Sequence, residues 1–195
     1  MNDTHLFAFE SDFVATLRCV PMAVRLRLDR CAIKLSLRQW SRFTREDRQK
    51  LLEAPCHSRV EIEAYGANLV ELIALRAREV AKPLADPPAP LWEVASEAPV
   101  VVTRFAKSLG VTPPSNAAWR ALAELQRFAL IKLTRDHHDN INFVPAMREF
   151  GLFAGGGVCE TAGLQREPSA QPILKRSRSA RRPAGLACIP CNGFS

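Results

Sequence analysis

No stretch of this chain is apolar over the roughly 18 to 20 residues that a membrane-spanning helix needs. Its longest apolar runs, such as 98–102, are far shorter. The beginning of the chain carries Asp3, Glu10 and Asp12. It lacks the positive start and the apolar block of about 7 to 15 residues that mark a secretory signal. A cytoplasmic location is therefore expected, where the six cysteines would be mostly reduced thiols. Catalytic signatures are missing too. The triple glycine beginning at Gly155 is not followed by Lys-Ser/Thr and a helix, so no phosphate-cradling loop is formed. There is no G-x-S-x-G elbow and no H-E-x-x-H pair. Glu61 and Glu63 fall on different faces of a helix, and Glu71 and Glu79 lie two turns apart, so no carboxylate pair is set up for acid–base work. These absences argue against an enzyme.

Acidic excess is absent as well. The 195 residues hold 27 Lys/Arg against 20 Asp/Glu, a net charge of +7. Through Gly151 the count is 21 against 18, or +3; from Leu152 it is 6 against 2, or +4. Most of the excess therefore sits near the end of the chain. The basic run KRSRSARR there binds polyanions only non-specifically. Such a tail raises the isoelectric point without building a groove, so nucleic acid is not expected as a specific partner.

What is present is helical periodicity. Pro21 suits a helix start, because its missing N–H would be unpaired there, and Met22, Val24, Leu26 and Leu28 follow. The lead-in, 6–13, alternates weakly and suggests a short extended segment. Leu37, Trp40 and Phe43 predict a short helix over 36–43. Thr44 predicts an N-cap that accepts from the N–H of Asp47, opening a helix that stops near Pro55. The stripe Ile62, Tyr65, Leu69, Leu72, Ile73 and Val80 predicts one long helix over 57–81. KPLADPPAPL, 82–91, cannot be helical across its four prolines and reads as an ordered crossover loop. Pro99 starts another helix, closed by Gly110 as a left-handed cap. The region 117–134 is apolar almost all round and predicts a central helix. DHHDN, 136–140, reads as a turn, and 145–150 as a last short helix. The fold class expected is all-α: one compact domain over 5–151 built as a bundle of about six helices. Residues 152–195 form a low-complexity basic tail, expected to be disordered.

Cys19, Cys31 and Cys56, the last followed by His57, lie in the helical body. Free cysteine is among the most buried residue types, so small core residues are one reading. A metal or redox group made of Cys19, Cys31, Cys56 and His57 is the other, although structural zinc sites usually contain a close pair and this set has none. Cys188 and Cys191 form a C-x-x-C in the tail, which supplies only two of four tetrahedral ligands. His137 and His138 suit a metal or a pH-sensitive turn, and equally plain turn chemistry. The run from Arg18 to Lys50 carries ten Lys/Arg against Asp29, Glu46 and Asp47. Arg25, Arg27, Arg38, Arg42 and Arg45 there form either a solvated helix face or a positive surface for an acidic partner.

Seven motifs carry a family resemblance. They are F-x-F-E-x-D-F at 7–13, L-R-C-V-P-M-x-V-R at 17–25, L-D-x-C-x-I-K-L at 28–35, W-x-x-F at 40–43, P-C at 55–56, Q-R-F-A-L-x-K-L at 126–133 and N-F-x-P-A-x-x-E-F at 142–150. Over about 7–152 the chain resembles the nitrate reductase associated proteins. Position 32 is alanine where the resemblance implies glycine. The resemblance implies a small cytoplasmic protein linked to nitrate assimilation and carries over no catalytic residue. The expected role is a non-enzymatic accessory protein that binds nitrate reductase or the molybdenum-cofactor machinery through Arg25, Arg27, Arg38, Arg42 and Arg45. No cofactor is expected on this reading. A small metal- or cofactor-binding protein using the Cys19, Cys31, Cys56 and His57 group is the alternative.

Overall fold

Residues 6–11, 16–85, 89–135 and 141–153 are described by the computed structural model. The 136–140 turn with His137 and His138, and the tail from 154 with Cys159, Cys188 and Cys191, lie outside them. Among the described residues there are eight α-helices: α1 (Met22–Arg30), α2 (Leu37–Arg42), α3 (Arg45–Glu53), α4 (Arg59–Leu72), α5 (Val100–Ser108), α6 (Asn116–Ala121), α7 (Glu124–Lys132) and α8 (Phe143–Glu149). The only strands among them are the two-residue β1 (Ile33–Lys34) and β2 (Lys82–Pro83), paired antiparallel. The all-α class expected from periodicity is the one observed. None of these helices is long and apolar enough to cross a membrane.

The helix starts follow side-chain chemistry. Ser36, Thr44, Ser58 and Ser115 each accept from the backbone N–H three residues on, at 3.2, 3.1, 3.3 and 3.1 Å. Each satisfies one donor that the first helical turn leaves unpaired. At α1 this task falls to a distant residue: Glu10, only 2% exposed, accepts from Met22 N at 2.9 Å. The lead-in is thus a single tight turn over Ala8–Glu10, not an extended strand. It packs Phe7 against Phe9 and Phe150, while Glu149 of α8 accepts from Ala8 N and Phe9 N.

Two expected helices are interrupted. The 57–81 helix runs regularly only to Leu72, widens into a π-turn over Ile73–Ala77 and stops at Arg78, whose φ is +56°. The wide turn shifts the phase of the apolar stripe. Tyr65, Leu69 and Ile73 are buried, whereas Val80 is 85% exposed. The 117–134 helix breaks at Leu122 and Ala123, both extended. There Arg127 Nη1 donates to Leu122 O, and Gln126 accepts from Ala123 N at 2.8 Å. The side chains of α7 thereby pair the backbone groups that the break exposes.

α7 is the centre of the bundle, with Leu125, Phe128, Ala129, Leu130 and Ile131 all buried. α1, α5 and α8 pack on it, and α1 also touches α3 and α4. The crossover after β2 keeps close to α1, because Leu84 N donates to Ala32 O at 2.7 Å.

Candidate functional site

The five arginines proposed for partner binding divide into two groups. Arg27 is 4% exposed. Its Nη1 donates to Ala23 O at 2.9 Å and its Nε to Ala54 O at 3.0 Å, so it ties α1 to the end of α3. Arg25 is half-buried and donates from Nε to Val20 O at 3.0 Å. These two are internal fasteners. Arg38, Arg42 and Arg45 lie on the surface where α2 passes into α3. The Arg38 side chain is 77% exposed and only 3.9 Å from Glu79 at its closest. Neither Arg42 nor Arg45 has an ion-pair partner among the described residues. Arg38 and Arg42 are four residues apart on one helix and share a face. Between the two groups, Arg48 stacks over the Trp40 ring and donates from Nη1 to Leu17 O at 3.1 Å.

The cysteine set is spread over several elements. Cys19 is buried ahead of α1, Cys31 caps the end of α1, and Cys56 is fully buried between α3 and α4. His57, beside it, is exposed. Cys19 is disulfide-bonded and so offers no free thiol to a metal, whereas Cys31 and Cys56 are free thiols. Burial pushes the Cys31 thiol up to about 11, with Cys56 adding to the shift. Burial likewise raises Cys56, against the pull of Arg30 and Arg27. Neutral thiols are poor nucleophiles and poor metal ligands. No group of three or more His, Cys, Asp or Glu side chains among the described residues is arranged to hold a metal ion.

A cleft of about 620 Å³ opens beside this set. One wall is the end of α1 with Asp29 and Arg30; the facing wall is α7 with Glu124 and Arg127. Trp92 and Glu93 close one side, and His57 lies at the edge. Arg30 holds the walls together: its guanidinium donates to Glu124 Oε1 at 2.7 Å and to Cys56 O at 2.7 Å, and lies 3.5 Å from His57 Nδ1. Asp29 Oδ2 is 2.5 Å from Lys132 Nζ, and both side chains are largely buried. Burial lowers the Lys132 pKa, and Asp29 opposes that shift. Arg127, 9% exposed, donates from Nε to Trp92 O at 2.7 Å. Trp92 is 3% exposed, packs edge-on against Phe128, and its indole N–H has no acceptor among the described residues.

Sequence reasoning missed this cleft. Asp29, Lys132 and Arg127 fall inside the 28–35 and 126–133 motifs but look like ordinary helix charges. Trp92 ends a proline-rich crossover with no periodic signal. Arg127, directly ahead of the apolar 128–131 run, was the one usable hint, since a charge on a buried helix needs a specific partner.

The family model for conserved nitrate reductase-associated protein matches residues 6–150. No curated protein and no solved structure matches the chain significantly.

Proposed function

Because the chain belongs to the family of conserved nitrate reductase-associated proteins, we propose that it is a non-enzymatic accessory protein of nitrate assimilation in the cytoplasm. It docks on nitrate reductase, or on the machinery that supplies the enzyme's molybdenum cofactor, through the basic edge formed by Arg38, Arg42 and Arg45. The observation that carries this reading is the exposure of those three side chains: Arg38 makes only a 3.9 Å contact with Glu79, and Arg42 and Arg45 have no ion-pair partner among the described residues. An exposed guanidinium is weakly hydrated and presents a fork of donors that fits a carboxylate on a partner. A cluster of them also accelerates encounter with an acidic surface. Half-buried Arg25 and buried Arg27 are engaged inside the fold and make no partner contact of their own.

The reading is tested by affinity capture from cells grown on nitrate, with the intact protein as bait. Recovery of nitrate reductase or a molybdenum-cofactor enzyme is expected, and it should weaken as salt is raised. Capture of neither under low salt would count against the proposal.

A further inference from the structure

We propose that the cleft between α1 and α7 binds a small ligand through an anionic oxygen, seated on the indole N–H of Trp92 and the guanidinium of Arg127. Two independent features of the cleft ask for such an acceptor. The first is the indole N–H, which has no partner among the described residues although Trp92 is only 3% exposed. A buried donor left unpaired is costly, and native proteins rarely keep one without a use. The second is the charge on Arg127. Its Nε and Nη1 donate to the carbonyls of Trp92 and Leu122, while among the described residues Nη2 makes no hydrogen bond and no carboxylate pairs with the guanidinium. Both residues line the cleft, and Arg127 Nε is held 2.7 Å from the backbone carbonyl of Trp92.

The other charges in the cleft do not compete for this position. Asp29 is held by Lys132 and Glu124 by Arg30. Glu93 is exposed, where water screens its repulsion of an anion. An acceptor arriving at Trp92 and Arg127 would therefore pair the two donors that the fold leaves unused. Carboxylates and inorganic oxyanions share this chemistry. A volume of about 620 Å³ admits a small organic acid as readily as a bare ion.

The test is titration of the intact protein, labelled with ¹⁵N, with nitrate, sulfate, acetate and succinate in turn, each matched in ionic strength by chloride. The indole N–H resonance of Trp92, assigned by its loss in Trp92→Phe, is the readout. A saturable shift at millimolar concentrations with at least one oxyanion, and none with chloride, is expected. A response to the inorganic ions alone or to the carboxylates alone supports the site and identifies which source fills it. Trp92→Phe keeps the ring packed against Phe128 and should weaken binding about tenfold or more, as loss of a charged hydrogen bond does. Arg127→Lys keeps the charge and should weaken it less than Arg127→Met. An equal response to chloride, no response to any of the four, or unchanged affinity in Trp92→Phe would overturn the proposal.

Discussion

Arg30 Nη2 donates to Glu124 Oε1 at 2.7 Å and so joins the end of α1 to the start of α7 across 94 residues of sequence. The Arg30 side chain is 10% exposed and that of Glu124 33%. Two charges this sheltered are coupled more strongly than an exposed surface pair, whatever their desolvation cost. A double-mutant cycle with Arg30→Met and Glu124→Gln, read by urea unfolding, should give a coupling of about 1–2 kcal/mol. A coupling near zero would show that the cleft walls are held by packing alone.

Ala32 follows the end of α1 with φ +51°. An L-residue there is strained, and glycine is not. Ala32→Gly should therefore stabilise the protein by about 0.5–1 kcal/mol, after allowing for the greater freedom of glycine in the unfolded chain. Thermal unfolding checks the sign. The glycine implied at this position by the family resemblance has the same physical basis.

Glu10 gives a pH dependence. Burial raises its pKa from 4.5 to about 7, against hydrogen bonds from Met22 N and Phe7 N and the charge of Arg25. The folded protein keeps this proton through a range where the unfolded chain has lost it. The contribution of Glu10 to stability should thus fall as pH rises from about 4.5 to 7 and stay low above that. Glu10→Gln keeps the acceptor for Met22 N without the titration. Relative to the parent it should gain up to about 3 kcal/mol on moving from pH 4.5 to 8. Denaturant midpoints at several pH values measure the difference, and parallel curves for the two proteins would contradict it.

Arg27 and Arg42 were alike in the sequence and differ in the fold. Arg27→Met should cost about 2–4 kcal/mol, since it leaves the carbonyls of Ala23 and Ala54 short of a buried donor. Arg42→Ala should change stability by less than about 0.5 kcal/mol. Chemical denaturation of the two variants side by side distinguishes fastener from surface residue.

Local signals in the chain were legible because their causes are local. Thr44 and Asp47, or Gly110 at φ +70°, act within one helical turn, and the caps appear where they were expected. The break after Ala121 was not legible, since it depends on Arg127 reaching back to Leu122 O. The π-turn after Leu72 was hidden for a similar reason: α2 packs against it, and no residue in 73–77 announces a change of pitch. The basic face failed as one surface because side-chain direction, not spacing in sequence, separates Arg27 from Arg38. The cleft stayed invisible because its walls come from segments far apart in the chain.

Docking on the nitrate reductase system through Arg38, Arg42 and Arg45 makes binding depend on those three charges. The most direct measurement is the affinity of purified nitrate reductase for the parent protein and for the triple variant Arg38→Glu, Arg42→Glu, Arg45→Glu, at low and at physiological salt, with circular dichroism confirming that the variant is folded. Salt-sensitive binding by the parent is expected, with a loss of at least about tenfold in the variant, or about 1.4 kcal/mol. A folded triple variant that binds as tightly as the parent would contradict it.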